Sequence, residues 1–137
     1  ADARFEAAAR NVAVDCQNLP NFSVRANAEL LHRAIENVLR NALRFSPSGS
    51  AVVVEVTALD ADRCRVAILD QGPGVAAAML EEIFTPFIRG AGVGDGYGLG
   101  LAIARRVLAA SDGKIYAENR AGGGLRVVME FPLELPS

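Results

Sequence analysis

Strand-like runs come in pairs along this chain, and helices separate the pairs. Residues 11–16 and 22–25 read as short strands on either side of a Leu19-Pro20-Asn21 turn. Ala51–Ala58 and residues 64–69 form a second pair, joined by the polar Asp60-Ala61-Asp62. A third pair, Lys114–Asn119 and residues 125–131, flanks Ala121-Gly122-Gly123-Gly124. A regular βαβ alternation does not fit this grouping. The pattern predicts an α+β fold, a two-layer sandwich whose mixed, mostly antiparallel sheet is covered on one face by helices. At 137 residues the chain is one domain, 1–137, with no repeat and no internal linker, and it is long enough to bury a core.

The clearest helix runs from an Asn27 cap to a stop at Ser46-Pro47-Ser48-Gly49. Glu29 sits in its first turn, where negative charge is favoured. Leu31, Ile35, Val38 and Ala42 make one apolar stripe, widened by Ala34 and Leu39. Asn37, Asn41 and Arg44 fall within about 60° of one another at the edge of that stripe, where a helix faces a cleft. An Asn amide oxygen is a neutral hard ligand suited to Mg2+, and an Arg one turn further on can reach a phosphate. The plainer reading is two amides and an Arg on a solvated flank. Asn is a poor helix former, however, and two of them in mid-helix need a reason. Glu36 lies about 100° from Asn37 on the same wheel and is assigned to solvent.

Two glycine-bearing segments follow. Residues 66–69 deliver Asp70 to the end of a strand, and Gly72 and Gly74 allow close approach of a ligand to bare backbone. Asp70 can accept a hydrogen bond from an exocyclic amine, which makes it a candidate reader of adenine; a plain Asp-x-Gly turn is the alternative. Gly72-Pro73-Gly74-Val75-Ala76-Ala77 also matches the dinucleotide fingerprint G-x-G-x-x-A. The strand-borne acidic residue expected about 20 positions later is missing, and a glycine-rich loop stands there instead. Residues 76–83 read as a short helix, and Pro86 breaks the chain. The aromatics of Phe84-Thr85-Pro86-Phe87 belong to a core, anchor the next segment or dock a partner. That segment, with Gly90, Gly92, Gly94 and Gly96, has little apolar content and reads as a mobile lid. Gly96, Gly98 and Gly100 lead into a second amphipathic helix, 99–110, whose N-terminal N–H groups and dipole suit an anion. No G-x-x-x-x-G-K-S/T occurs, so this is not a P-loop.

Composition narrows the partners. The net charge is −2, from 14 basic and 16 acidic side chains, without the clustered basic excess of a nucleic-acid binder. No run of 18 apolar residues occurs, and no signal peptide is visible. The sequence opens on Ala1-Asp2-Ala3 without a Met, so a longer protein is expected, whose remainder holds the membrane anchor. Cys16 and Cys64 lack C-x-x-C spacing and are expected to be buried or half-buried thiols in a reducing compartment. His32, the only histidine, is expected on a helix surface.

Taken together, the motifs resemble the catalytic and ATP-binding domain of bacterial sensor histidine kinases, a branch of the family that also holds gyrase, Hsp90 and MutL. The resemblance covers roughly residues 24–131. Residues 36–45, Glu-Asn-Val-Leu-Arg-Asn-Ala-Leu-Arg-Phe, look like the family's N box. Asp70-Gln71-Gly72-Pro73-Gly74 looks like its first glycine box, and Phe84-Thr85-Pro86-Phe87 like its F box. Gly96-Tyr97-Gly98-Leu99-Gly100-Leu101-Ala102-Ile103 looks like its second glycine box.

The resemblance implies a Bergerat-type ATP-binding fold with ATP and Mg2+ as cofactors. It implies that Asn41 ligates Mg2+, that Asn37 supports it, and that Arg44, where the family often has Lys, contacts phosphate; these three form the catalytic set. It implies that Asp70 bonds the adenine amine and that Gly72 and Gly74 shape the adenine pocket. Phe84 and Phe87 join the cofactor-binding set, and Gly96, Gly98, Leu99 and Gly100 cradle phosphates. Tyr97 departs from the Thr of many members.

Hydrolytic relatives place a Glu four residues before the metal-binding Asn. Asn37 stands there, an amide that cannot act as a base at neutral pH. The implied activity is transfer of the γ-phosphoryl group to a histidine on a separate dimerisation domain, because His32-Arg33 does not match the phosphoacceptor pattern. The other implied partner is the receiver domain of a response regulator in a two-component system. The isolated domain is expected to be monomeric and cytoplasmic, and the full-length protein to sit in the bacterial inner membrane. An ATP-hydrolysing relative of gyrase or MutL type and an ATP-sensing docking module without transfer activity are the competing readings. Asn37 opposes the first, and the full motif set opposes the second.

Overall fold

The computed structural model describes residues 12–17, 28–86 and 99–132. The expected strand at 22–25, the Asn27 cap, Phe87 and the glycine loop with Gly96 and Gly98 lie outside the described residues. In chain order the elements are β1 (Ala13–Gln17), α1 (Ala28–Phe45), β2 (Ala51–Ala58), β3 (Arg63–Leu69), two 3-10 turns (Ala77–Met79 and Glu82–Phe84), α2 (Gly100–Ala110), β4 (Lys114–Asn119) and β5 (Leu125–Pro132).

The strands form one sheet in the order β1-β2-β3-β5-β4. β1 and β2 run parallel, with Ala13 beside Ala51, and every other neighbouring pair is antiparallel. The parallel pair needs a crossover, and α1 lies within it. Period-two alternation sorts the side chains. Val54 beside Ile68, Ile68 beside Val127 and Val66 beside Met129 share one face. That face builds the core with Leu31, Ala34, Val38 and Ala42 of α1 and Leu101, Ala104 and Leu108 of α2. Both sets follow the three-and-four spacing of a helix stripe. α1 and α2 pack on each other and cover this face together. Removing a side chain such as Leu43 or Leu108 from water stabilises the fold by about 2 kcal/mol. The expected two-layer α+β sandwich is therefore what forms.

The opposite face of the sheet carries charge. Glu130 of β5 stands beside Arg65 of β3. Its Oε2 accepts from Arg65 Nε at 3.0 Å and Nη2 at 2.8 Å and from the Tyr116 hydroxyl at 3.1 Å, while Lys114 Nζ lies 3.6 Å from Oε1. Burial alone would raise the Glu130 carboxyl, but Arg65, Tyr116 and Lys114 together hold it below its ordinary value.

Residues 76–83 do not form the expected α-helix; two 3-10 turns replace it. Neither turn has a side-chain cap, and only Ile83 and Phe84 are buried. So short a segment cannot offset the cost of helix nucleation. Cys64 is a buried free thiol, pushed up to about 12 by burial. The Cys16 side chain lies outside the described residues. The His32 side chain is exposed, as expected.

Candidate functional site

The last turns of α1 are met from two directions. At Asn37, the start of α2 arrives: a Cβ on Gly100 would lie 3.8 Å from the Asn37 Cβ. At the C-terminal end, the segment after β3 arrives: a Cβ on Gly72 would lie 2.6 Å from the Phe45 carbonyl oxygen, and the Gln71 N–H points at Ser46 Oγ, 3.4 Å away. The two meeting points are about 12 Å apart along the helix axis. Asn41 lies between them on the same edge. Parts of the two glycine boxes thus both pack on the helix that carries Asn37 and Asn41.

Asn41 is buried, with 8% of its surface exposed. Among the described residues no hydrogen bond reaches its amide. The amide is not among the fully buried side-chain atoms without a partner, so its polar atoms still reach the surface and are open to a ligand. Asn37 is half-buried beside Gly100. Arg44 lies nearer the Asp70 end, half-buried, with its guanidinium 5.0 Å from the Phe45 ring centroid. Arg40, which the sequence reading passed over, lies on the same flank with its Nε buried and without a hydrogen-bond partner among the described residues. Glu36 is a correction. Its side chain is 27% exposed and lies 3.7 Å from His32 Nε2, so it is half-buried rather than solvent-facing. The helix wheel gave its direction but not its i−4 neighbour.

Asp70 is buried, with 3% of its surface exposed. Oδ1 accepts from the Gly72 N–H at 2.9 Å and from the Leu125 N–H at 3.0 Å. The Asp70 N–H donates to the Leu125 carbonyl at 2.9 Å, and Arg120 Nη1 donates to the Asp70 carbonyl at 2.6 Å. Oδ2 accepts no hydrogen bond among the described residues. Burial pushes the carboxyl above its ordinary value, while the Gly72 and Leu125 N–H groups and the Arg120 charge pull it back.

The first glycine box owes its glycines to packing as much as to a ligand. Gly72 admits the end of α1, as its distance to Phe45 shows. Gly74 has φ +72°, and a Cβ there would lie 2.6 Å from Asn119 Oδ1. The Asn119 amide in turn grips Val75: Oδ1 accepts from the Val75 N–H at 3.0 Å and Nδ2 donates to its carbonyl at 2.6 Å. Asn119, Arg120 and Leu125 were invisible to sequence reasoning as site residues. Their partners lie 44 to 55 positions away in the chain, and locally they read only as a hairpin turn.

At the start of α2 the position is the reverse. A Cβ on Gly100 would find only ordinary contacts at 3.8 Å, so packing does not demand a glycine. α2 has no acidic residue in its first turn and no side-chain hydrogen bond at its N-cap, Leu99. Among the described residues no side chain thus caps its first N–H groups, and such groups suit an anion. Leu99 is exposed. Phe84 is 2% exposed, inside the core, with the Arg105 guanidinium 5.9 Å from its ring centroid, as the core alternative for this aromatic pair expects.

Among the described residues no cluster of three His, Cys, Asp or Glu side chains could hold a metal. That fits Mg2+, which is usually bound through one or two protein oxygens plus phosphate and water rather than in an all-protein cage. Among the described residues no helix is long and apolar enough to cross a membrane.

Comparison with known proteins agrees with this geometry. Residues 26–135 match the family described as histidine kinase-, DNA gyrase B- and HSP90-like ATPase. The sensor protein PfeS of Pseudomonas aeruginosa is 38% identical over 123 residues, covering 89% of this chain and 27% of that protein. The sensor histidine kinase CpxA of Escherichia coli is 40% identical over 111 residues, covering 78% of this chain and 24% of that protein. The chain thus spans about a quarter of the length of these two relatives. Among solved structures, the mycobacterial sensor histidine kinase MprB superposes with a TM-score of 0.86 at 28% identity, covering 97% of this chain and 91% of that one. Full-length ShkA in complex with AMPPNP superposes with a TM-score of 0.82 at 29% identity, covering 98% of this chain and 29% of that one. The chain belongs to the histidine kinase, gyrase B and HSP90-like ATPase family.

Proposed function

We propose that this chain binds Mg·ATP along the α1 edge and transfers the γ-phosphoryl group to a histidine on a separate dimerisation domain, as the kinase core of a two-component system. One observation carries the reading: the segment that follows Asp70 packs on the C-terminal end of the helix that carries Asn41, and Asp70 Oδ2 and the Asn41 amide each lack a hydrogen bond among the described residues. The named sensor kinases among the relatives, and the ATP analogue in the ShkA complex, support it.

The roles follow from the atoms. Asp70 Oδ2 is the acceptor for the exocyclic amine of adenine. Guanine presents a carbonyl oxygen at that edge, which an ionised carboxylate rejects because neither group can donate. The uncapped start of α2 and the Gly100 backbone receive phosphate oxygens, and Arg44 supplies positive charge. The Asn41 amide oxygen, supported by Asn37, would hold Mg2+, which neutralises charge on the phosphates when bound. Asn37 cannot activate water as a general base, so the γ-phosphoryl group awaits a nucleophile presented by a partner. The partners proposed are the dimerisation domain and a response-regulator receiver domain, and the full-length protein is placed in the bacterial inner membrane.

The test mixes this chain with radiolabelled ATP, Mg2+ and a separately expressed dimerisation domain. Acid-labile, base-stable label on that domain is the expected result, absent with Asn41→Ala. Steady release of phosphate into solution with no labelled protein would favour the hydrolytic relatives instead.

A further inference from the structure

We propose that Asn119 and Arg120, at the exit of β4, are positioning residues for nucleotide recognition that clamp the Asp70–Val75 segment to the β4–β5 turn so that Asp70 turns Oδ2 alone toward the base. This rests on the reading of Asp70 as the adenine acceptor and deepens it.

The clamp has two jaws. Arg120 Nη1 donates to the Asp70 carbonyl at 2.6 Å, while the Arg120 N–H donates to the Gly124 carbonyl at 2.9 Å, which closes the turn on itself. The Asn119 amide pairs with both backbone groups of Val75, as a neighbouring strand would. Gly124, at φ +103°, lets the turn come close: a Cβ there would lie 2.1 Å from the Asp70 carbonyl oxygen. Three of the four polar atoms of Asp70 (N, O and Oδ1) are therefore occupied by protein, and the hairpin reaches each of them. What is left for a ligand is set by the hairpin, not by the strand that carries Asp70.

Arg120 has a second effect, through its charge. The elements packed around Asp70 bring few charged groups. β5 brings Arg126, which is paired with Glu118; α1 brings Arg44 in its last turn; the turn brings Arg120. Of these, Arg120 acts on the carboxyl and opposes the effect of burial. The carboxylate must be ionised to accept the amine. Without Arg120 it would take up a proton at a higher pH, and ATP affinity would be lost at that higher pH.

Two substitutions separate charge from hydrogen bonding. Arg120→Gln keeps a donor for the Asp70 carbonyl but loses the charge; Arg120→Lys keeps both. ATP affinity is measured by calorimetry on the wild-type chain and on each variant from about pH 5 to about pH 8, spanning the carboxylate range and above, with thermal unfolding of each as a check on folding. The expected result for Arg120→Gln is an affinity loss of about tenfold near neutrality and an acid limb displaced upward in pH. Arg120→Lys is expected to keep the wild-type limb. Asn119→Ala is expected to weaken ATP binding with the limb unmoved. An Arg120→Gln profile that superimposes on wild type would overturn the proposal. So would equal losses in Arg120→Gln and Arg120→Lys at every pH, the mark of a merely structural role. Asp70→Asn is the control for the underlying reading. If it binds ATP as tightly as wild type, base recognition by Asp70 is itself wrong, and the clamp falls with it.

Discussion

The two ends of the α1 edge are built on opposite plans. At the Asp70 end nearly every polar atom is tied to protein: Asp70 by Gly72, Leu125 and Arg120, and Val75 by Asn119. At the Asn41 end, among the described residues, no hydrogen bond reaches the amide and no side chain caps the start of α2, and Gly100 has room for a Cβ. One end is a preformed socket; the other waits for its ligand. The difference fits the chemistry assigned to each. Base recognition gains from a rigid acceptor that loses no order on binding. The phosphate end must hold charge that arrives with the ligand and then release part of it to a partner.

The contrast can be broken at several points. The largest effect is expected at the unfinished end. Asn41→Ala should lower phosphotransfer by roughly 10²–10³-fold, the scale for one preorganised polar group. It should leave thermal stability unchanged or raised, since no described protein group depends on the amide. A matching fall in stability would show that Asn41 has a structural role that the hydrogen bonds do not reveal.

Asp70→Asn should weaken ATP binding by about ten- to a hundredfold, the worth of a hydrogen bond to a charged group. Its effect on the free protein should have the other sign. The Asp70 carboxyl is raised in the folded state relative to its ordinary value, so ionising it costs folding stability. That cost is absent below the ordinary carboxylate value, where Asp70 is neutral in both states, and grows as pH rises through the raised folded value. Asn keeps an oxygen for the Gly72 and Leu125 N–H groups. Asp70→Asn without nucleotide should therefore melt above wild type near neutral pH and lose that advantage in acid. Glu130 provides the opposite case. Its folded value is lowered, so its stabilising contribution is present above the ordinary Glu value and lost as pH falls through the lowered one.

Two glycines sharpen the comparison further. Gly72→Ala forces a Cβ to within 2.6 Å of the Phe45 carbonyl oxygen and should destabilise the chain by about 1–3 kcal/mol in denaturant titration. Gly100→Ala meets only ordinary contacts and should stabilise it by about 0.5–1 kcal/mol, while ATP binds more weakly because a methyl group crowds the phosphates. Loss of stability in Gly100→Ala would move its glycine requirement from ligand to fold.

What could be read from sequence was periodic or local. The α1 stripe, the β2–β3 and β4–β5 pairs and the position of Asp70 at the end of β3 all follow from local spacing, whereas the pairing of β1 with β2 does not. The two-layer sandwich followed from their order. What escaped was set by tertiary contact. Asn119 and Arg120 hold their partners across 44 and 50 positions, and nothing in an Asn-Arg pair before a glycine turn announces that. Residues 76–83 have helix-friendly composition but too little length and no cap. The spacing of Phe84 and Phe87 left a core position, an anchor for the next segment or a partner dock open, and Phe84 is buried in the core.

The central claim is that both ends serve one ligand. Backbone amide resonances of this chain, followed during titration with AMPPNP and Mg2+, test it most directly. The account predicts that residues 70–75, 37–44 and 99–103 shift together and saturate with one dissociation constant. Shifts confined to one end, or two ends saturating independently, would contradict it.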